Sequence, residues 1–274
     1  MNGGLPWSDG RRAALTLSFD NLGEATALQR GEWPDGEPLG RHFSVTRALP
    51  RILAALDEVG LRSTFFVEGV NTELYPDTLM ELDARGHEVA YHGWCHEDWA
   101  GLDRDREAAL LARGVRALSA LGLRPIGLRP PGGRLSAASL DLLREHRFRY
   151  CSPAGSGLGV DRGVAVLPFE WRHVDAYHYL PRFAPLRERD RPAGFEQTLG
   201  RALERAVHVG SHLSVVFHPF LVDGKERFEV LRRHLQAVRA LVDGGRLWCA
   251  PYRDVQTHLG PQAVQPLRLD TRAA

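Results

Sequence analysis

The chain has 274 residues, of which 43% are hydrophobic and 25% are charged, and its formal net charge is +1. This composition is typical of soluble globular proteins, and the balanced charge gives no electrostatic reason to expect a nucleic-acid partner. No stretch reaches the roughly 18 apolar residues that a membrane-spanning helix needs. We therefore expect a protein that binds neither nucleic acid nor membrane.

Residues 1–11 lack a charged region followed by an apolar one, so we expect no signal peptide. The three cysteines, Cys95, Cys151 and Cys249, are far apart, which is typical of reduced thiols. Both observations favour a cytoplasmic location. We divide the chain into an N-terminal extension, one folded domain and a C-terminal tail that we expect to be weakly ordered: residues 1–11, 12–259 and 260–274.

Apolar, β-rich runs alternate along the chain with segments of helical periodicity. Strands are predicted at residues 13–19, 61–67, 87–91, 125–128, 148–151, 164–168, 213–217 and 247–250. Helices are predicted at residues 45–59 (with Ser44 as the N-cap), 76–85, 104–121, 136–145, 194–209 and 228–242. Residues 22–39 and 181–192 are predicted to be loops.

This alternation predicts an α/β fold with a parallel sheet. About seven β–α steps without a composition break favour a single domain that forms a closed or nearly closed barrel. In such a barrel the carboxyl ends of the strands form one rim, and active sites lie at that rim.

Reactive side chains follow directly on predicted strands at five positions: Asp20, His92, Arg129, Asp175 and His218. Aspartate and histidine often begin turns, so one such residue has an ordinary explanation. Five of them favour the interpretation that side chains distant in sequence converge at the rim, and we take these residues as the candidate site.

His92 and His96 are four residues apart, directly behind the apolar run 89–91. If the chain forms a helical turn after this strand, both imidazoles lie on one face. Neutral imidazole is the commonest protein ligand for zinc-like metals. A lone pair of histidines is more often an ordinary surface or core pair, so the metal assignment depends on the rest of the chain.

A metal hydrolase needs ligands that leave one coordination position open, a carboxylate base and an acid for the leaving group. Asp20 suits the base, and His218, on a different strand, suits the acid. A bidentate pair with Arg129 would keep a carboxylate ionised. We include Asp175 in the same catalytic set.

These residues resemble the motifs of the polysaccharide deacetylase family, whose shared unit is the NodB homology domain (carbohydrate esterase family 4). The first three motifs of that family read T-F-D-D, H-[ST]-x-x-H and R-x-P-[YFG]-G, the fourth contains a tryptophan, and the fifth surrounds a lone histidine. Similar sequences occur here in the same order, at residues 18–21, 92–96, 129–133, 171–175 and 217–219. The resemblance covers roughly residues 12–255.

The resemblance implies a distorted (β/α) barrel and the metal-dependent removal of an acyl group from an amide nitrogen. It implies a divalent metal, with zinc expected, held by His92 and His96. It also implies that Asp20 is the base, that Arg129 orients this base, and that His218 is the acid.

One departure from the family pattern affects the metal. The second aspartate of the first motif, a metal ligand in the family, is Asn21 here. An amide oxygen can coordinate a cation but carries no charge, so affinity for zinc should fall. Glu24, three residues on, could replace it, and the two alternatives stay open. The second motif also has Gly93 where the family usually has Ser or Thr.

Aromatic residues follow several of the candidate site residues and could form a wall for a sugar or ring. We take as substrate-binding candidates Trp94, Trp99, Trp171 and Phe220. Ordinary packing is an equally good explanation for them.

The long 22–39 segment makes the chain similar to the branch that contains cytoplasmic peptidoglycan-deacetylase-like and allantoinase-like proteins, which often form homo-oligomers. Without an export signal, a small N-acyl amino sugar or biosynthetic intermediate is the preferred substrate. One alternative is ring opening of a cyclic amide or imide, which could proceed without metal. Another is a binding protein that has lost catalysis.

Overall fold

The structure is a computed structural model that describes residues 7–191, 193–260 and 265–270. Within these residues the strands are β1 (Ala13–Asp20), β2 (Thr64–Val67), β3 (Glu88–Tyr91), β4 (Gly127–Leu128), β5 (Tyr150–Cys151), β6 (Gly155–Asp161), β7 (Val164–Val166), β8 (His212–Phe217), β9 (Leu247–Cys249) and β10 (Gln265–Leu269).

The helices are α1 (Ala25–Arg30), α2 (Leu49–Val59), α3 (Asn71–Leu74), α4 (Pro76–Ala84), α5 (Arg104–Ala120), α6 (Ser139–Glu145), α7 (Asp175–Tyr179), α8 (Ala184–Asp190), α9 (Phe195–Val209), α10 (Lys225–Asp243) and α11 (Tyr252–Leu259). A π-helical turn, Ser44–Ala48, leads into α2. Helices α2 and α9 end before Gly60 and Gly210, whose φ angles of 61° and 77° suit glycine.

The strands form one curled sheet in the order β10-β6-β7-β5-β4-β3-β2-β1-β8, and β9 pairs with the first residues of β1, on the edge of β1 opposite β8. Pairing is parallel throughout except for β6 and β10, which are antiparallel to their neighbours. In the described part of the chain, β8 and β7 do not pair, so the barrel is interrupted there. This architecture confirms the predicted distorted (β/α) barrel, with the two antiparallel strands as an addition.

The segment that fills the interruption, residues 169–174, makes two isolated bridges. Phe169 pairs with Ala154 on one side, and Val174 pairs with Val216 of β8 on the other. We call this segment the seam. It leads directly into Asp175, so the interruption of the sheet lies beside one of the candidate site residues.

Alternation along β1 separates two apolar layers, because successive side chains of a strand point to opposite faces. Leu15, Leu17 and Phe19 belong to the cluster that packs under the helices. Ala14 belongs to the cluster inside the barrel, together with Phe66. Asp20 shares the inner face with Ala14, so its carboxylate emerges at the mouth of the barrel.

Four predictions of local structure were wrong. Residues 22–39 contain helix α1, and residues 181–190 form a 3-10 turn followed by α8 rather than a loop. Ser44 does not cap its helix: its hydroxyl accepts a hydrogen bond from the amide of Gly23, 3.0 Å away. The tail contains β10, which pairs with β6.

The proposed N-terminal extension is described only from residue 7 onward. Trp7 is buried and bridges Arg11, so this stretch packs against the domain. Residues 1–6, 192, 261–264 and 271–274 lie outside the described residues. Among the described helices, none has both the length and the apolar character needed to cross a bilayer.

A buried histidine of α10 makes the stability of the fold sensitive to acid. His234 is 5% exposed, its Nε2 has no hydrogen-bond partner, and burial lowers its pKa to about 4. An unfolded chain takes up this proton near pH 6.5, the ordinary value for histidine. Below that pH the unfolded state binds more protons than the folded state. The contribution of His234 to the free energy of unfolding is therefore fully present above about pH 6.5 and is lost as the pH falls towards about 4.

Replacement of this imidazole by an apolar ring should remove the share of the acid sensitivity that His234 contributes. We expect His234→Phe to raise the free energy of unfolding by about 2 kcal/mol more at about pH 4.5 than at about pH 8, relative to the wild type. Urea unfolding at the two pH values measures this difference. His208→Phe, at an exposed position, is the control and should show no such dependence. An equal effect of His234→Phe at both pH values would contradict the assignment.

Candidate active site

The candidate residues lie at one rim, because four of the five end or follow a strand of the parallel sheet and the fifth follows the seam. Asp20 ends β1, His92 follows β3, Arg129 follows β4 and His218 follows β8. Asp175 follows the seam and begins α7. All five are nearly or fully buried. The structure therefore brings together side chains from five separate parts of the sequence.

Arg129 is the centre of a hydrogen-bond network inside this rim. Its Nη1 donates to Oδ1 of Asp20 and to the hydroxyl of Ser18, both at 2.7 Å. Its Nη2 donates to the hydroxyls of Ser152 (3.0 Å) and Tyr252 (2.8 Å). The pair with Asp20 uses one carboxylate oxygen, so the expected bidentate geometry was wrong. The second oxygen of Asp20 remains available for a proton.

The guanidinium of Arg129 also lies over aromatic rings, 4.1 Å from the centroid of Phe66 and 4.9 Å from that of Phe169. The cation–π contacts and the hydroxyl groups together stabilise the charge of Arg129, a residue that is only 1% exposed. Because this environment holds the guanidinium in place from several sides, it also fixes the position of the Asp20 carboxylate.

The two histidines meet, but the helical turn that we expected between them is absent. Residues 92–98 have no helical assignment, and Gly93 and His96 have φ angles of 78° and 67°. The carboxylate of Glu97 accepts hydrogen bonds from the amides of Trp94 (2.9 Å) and Cys95 (3.0 Å) and so stabilises this tight turn. A Cβ at position 93 would lie 2.7 Å from Glu97, which explains glycine where the family pattern has Ser or Thr.

The imidazoles of His92 and His96 are 5.1 Å apart between ring centroids and nearly perpendicular. Burial lowers the pKa of His92 to about 3 and that of His96 well below its usual value. Both rings are therefore neutral at pH 7, the form that binds metals. Nδ1 of His92 lies 2.8 Å from the carbonyl oxygen of Arg129. If Nδ1 carries the proton, Nε2 is the nitrogen left to coordinate.

The two alternatives for the third ligand have different surroundings. The Glu24 carboxylate accepts hydrogen bonds from the Tyr75 hydroxyl at 2.7 and 2.8 Å and from the amides of Gly40 (2.8 Å) and Arg41 (3.2 Å). These contacts use both carboxylate oxygens of Glu24 to anchor the loop before Ser44, which favours Asn21 over Glu24 as the third ligand. Oδ1 of Asn21 is buried and has no hydrogen-bond partner.

The candidate donor set for a divalent cation consists of His92, His96 and Asn21. Among the residues that the structure describes, no three His, Cys, Asp or Glu side chains are placed to hold an ion. The His92 and His96 imidazoles are neutral nitrogen donors, and Asn21 adds a neutral oxygen that lacks a donor. Nitrogen and oxygen ligands of this kind suit zinc and similar metals.

His218 and Asp175 form a second buried pair at the rim. Nδ1 of His218 lies 2.5 Å from Oδ1 of Asp175, and the His218 amide donates to Oδ2 at 2.7 Å. The two contacts fix the orientation of the ring and leave Nε2 for a partner outside the pair. This arrangement is that of a histidine held by a carboxylate so that one nitrogen can exchange a proton.

The four aromatic candidates have different environments. Trp99 is fully buried, and its Nε1 donates to Glu107 and Ser139, so it belongs to the core rather than to a substrate site. Trp94 is buried with the Arg113 guanidinium 3.4 Å from its ring, which makes it a packing residue. The Phe220 ring lies 5.5 Å from that of His218 and remains a candidate for contact with substrate.

Trp171 lines a cleft of about 750 Å³ beside the seam. The cleft is also lined by Tyr177 and by exposed arginines of α9, such as Arg201 and Arg205. Neither His92 nor Asp20 lines this cleft. Trp171 therefore lies next to an open groove, and it remains a candidate for binding a part of the substrate away from the reacting bond.

The sequence analysis missed Glu68, which directly follows β2. It is fully buried, its Oε1 has no hydrogen-bond partner, and Oε2 accepts from Nδ2 of Asn71 at 3.2 Å. Burial, with a smaller contribution from the negative charges of Asp20 and Glu97, raises the pKa of Glu68 well above its usual value. The search for strand-end residues could have found it, because Thr64–Val67 is apolar and β-rich.

Comparison with known proteins agrees with this geometry. The family model described as polysaccharide deacetylase matches residues 32–151, which contain the histidine pair and Arg129. The peptidoglycan deacetylase-like protein FGM2 of Gibberella zeae is 34% identical over 103 residues, 36% of this chain and 30% of that protein. The peptidoglycan deacetylase of Helicobacter pylori is 29% identical over 109 residues, 39% of this chain and 37% of that protein.

The matched part of the chain thus spans about a third of the length of these curated relatives. The solved structures match this chain over nearly its whole length. A provisionally assigned polysaccharide deacetylase from Mycobacterium smegmatis has a TM-score of 0.82 at 27% identity, covering 99% of this chain and 98% of that one. The Puue allantoinase has a TM-score of 0.75 at 19% identity, covering 92% of both chains, which is a likeness of fold.

The matched segment, the order of the motifs around the rim and the near-complete structural match agree with one another. The chain is therefore similar to the polysaccharide deacetylase family in the segment 32–151 and shares the fold of a solved structure assigned to that family.

Proposed function

We propose that the protein is a metal-dependent amide hydrolase that removes an acyl group from the nitrogen of a small amide, such as an N-acyl amino sugar. The observation that carries the proposal is the placement of two proton-transfer groups at one rim. Asp20 is held by Arg129, His218 is held by Asp175, and the neutral His92 and His96 complete the same rim.

In this proposal, two different side chains of the protein carry out the two proton transfers of amide hydrolysis. The carboxylate of Asp20 keeps one oxygen free of Arg129 and is placed to accept a proton from the attacking water. Nε2 of His218 is placed to donate a proton to the departing amine, because Nδ1 is bound to Asp175. A divalent cation, zinc in our proposal, would be held by His92, His96 and Asn21, and when bound it lowers the pKa of water and polarises the acyl carbonyl.

The substrate class is inferred from the family and the site together. The curated relatives named above are a peptidoglycan deacetylase and a peptidoglycan deacetylase-like protein. Phe220 beside His218 offers an apolar face for a sugar ring. We propose a small cytoplasmic N-acyl substrate, in keeping with the reduced cysteines, which are free in the structure.

Acetate release tests this function directly. We expect the protein to release acetate from N-acetylglucosamine or its short oligomers in the presence of Zn²⁺ or Co²⁺, and to stop when a chelator is added. Hydrolysis of allantoin-like rings that persists with chelator would favour the cyclic-amide alternative. Failure on both substrate classes by a folded protein would favour a binding role. Fold alone does not decide the question, because a Bacillus anthracis pseudoenzyme matches this chain with a TM-score of 0.56 at 16% identity.

A further inference from the structure

The carboxylate of Glu68 has no role in the base and acid pairs described above. Its backbone is fixed between the turn that carries the histidines and the end of β2. The amide of His92 donates to the carbonyl of Val67 at 2.9 Å, and the amide of Gly69 donates to the carbonyl of Gly93 at 2.8 Å. The first of these bonds extends the parallel ladder beyond the Val67–Tyr91 pair and places Glu68 beside His92, and the second shows that the ladder shifts by one residue at Gly93.

Residues opposite one another on neighbouring strands project from the same face of a sheet, and the strands are about 4.8 Å apart. Two residues before Glu68, Phe66 lies inside the barrel, and two residues before His92, Ala90 does the same. The alternation therefore directs Glu68 and His92 to the same side, at the mouth of the barrel where Asp20 emerges.

Glu68 has no cationic partner among its hydrogen-bond contacts in the described residues. The fully buried Glu68 faces the negative charges of Asp20 and Glu97, both of which act on its carboxyl group. Arg129 is already bound to Asp20. Glu68 is left with one oxygen that accepts no hydrogen bond, and a buried acceptor without a donor is costly. A nearby cation would remove this cost.

We propose that Glu68 supplies the negative charge that this metal site lacks at Asn21, acting as an outer carboxylate that stabilises the cation held by His92 and His96. An outer role fits the finding that, within the described residues, no three acidic, cysteine or histidine side chains are placed to bind an ion directly. The inference rests on the metal dependence in the proposed function. It explains how a site without the family's second aspartate retains affinity for a divalent cation.

The test measures cation affinity and metal-free stability in the same variants. Zn²⁺ and Co²⁺ binding is measured by calorimetry or chelator competition for the wild type, Glu68→Gln and Glu73→Gln. Glu73 is 62% exposed on the next helix, so its variant loses the same charge outside the site. We expect Glu68→Gln to weaken binding by about 10–100-fold, as for outer carboxylates of metal sites, and to melt at a higher temperature without metal. Glu73→Gln should change neither quantity.

A second part of the experiment restores the family's aspartate at position 21. Asn21→Asp in the Glu68→Gln background should recover the affinity that was lost. In the otherwise native chain the same change should tighten binding only slightly, because Glu68 already supplies the charge. A gain of about 100-fold or more in the native chain would overturn the proposal, and this result does not depend on whether Glu68→Gln folds.

The outcomes separate this inference from the proposed function. If the wild type releases acetate with metal and Glu68→Gln binds metal as tightly, the role of Glu68 is overturned and the function stands. If cation affinity depends on Glu68 but no N-acyl substrate is hydrolysed, the function fails and the inference stands. A wild-type protein that binds neither cation overturns both.

Discussion

Asp20→Asn is expected to lower kcat by about 10²–10⁴-fold, the usual contribution of a positioned proton acceptor, while cation binding stays close to that of the wild type. The variant keeps the shape of the side chain and an oxygen that can accept the hydrogen bond from Arg129. It loses the charge that takes the proton from water. Acetate release under saturating substrate, together with calorimetric cation binding, measures the two effects separately.

The same variant leaves the Arg129 guanidinium without its ionic partner at a buried position, which typically costs about 3–5 kcal/mol. Thermal unfolding must therefore show that the variant is folded at the assay temperature. Ser18→Ala is a suitable control, because it removes another acceptor of Arg129 without changing a charge. If Asp20→Asn is folded and retains turnover, another group is the base.

His92→Ala is expected to abolish both cation binding and acetate release. Removal of even an outer partner of a metal ligand costs about 10–100-fold in affinity, and loss of the ligand itself should cost more. Burial keeps this imidazole neutral, its pKa being lowered to about 3, so the wild-type site should bind cations without competition from protons down to mildly acidic pH.

Calorimetry with Zn²⁺ measures the loss for His92→Ala directly, and circular dichroism checks the fold. His208→Ala removes an exposed imidazole of α9 and should retain wild-type affinity. Full activity or unchanged affinity in folded His92→Ala would refute the ligand assignment and, with it, the metal-dependent mechanism.

The positions of most parallel strands and of the rim could be predicted because their sequence signals are local. Apolar, β-rich runs such as 13–19 and 213–217 end abruptly on a charged or polar residue, and in a parallel sheet these ends meet. That rule placed Asp20 and His218 in one site although they are far apart in sequence. The resemblance to the family then supplied the roles that we propose for them.

Other parts of the fold depend on signals that a strand or helix pattern does not contain. Strand β6 reads Gly-Ser-Gly-Leu-Gly-Val-Asp, and glycine is depleted in strands, so pairing with β7 and β10 must stabilise it. The turn between His92 and His96 depends on two positive φ angles and on Glu97. Its geometry follows from tertiary contacts that spacing alone does not reveal.

The choice between Asn21 and Glu24 also required tertiary information. Glu24 is bound by Tyr75 and by backbone amides far along the chain, and no sequence pattern indicates those partners. Glu68 was different: it follows a strand as His92 does, and the same rule would have included it.

The seam gives the two sides of the active site unequal rigidity. On one side, β8 pairs with β1 over six consecutive residues, and β2 and β3 continue this continuous hydrogen-bonded wall. On the other side, residues 169–174 are attached by two isolated bridges. We therefore expect a bulky substrate to be accommodated by adjustment of residues 169–173, since Asp175 itself is held to His218 by two hydrogen bonds, while Asp20 and the histidines keep their spacing. Variation in substrate size among related enzymes should accordingly be concentrated in this segment, with the ladder around β1 left intact.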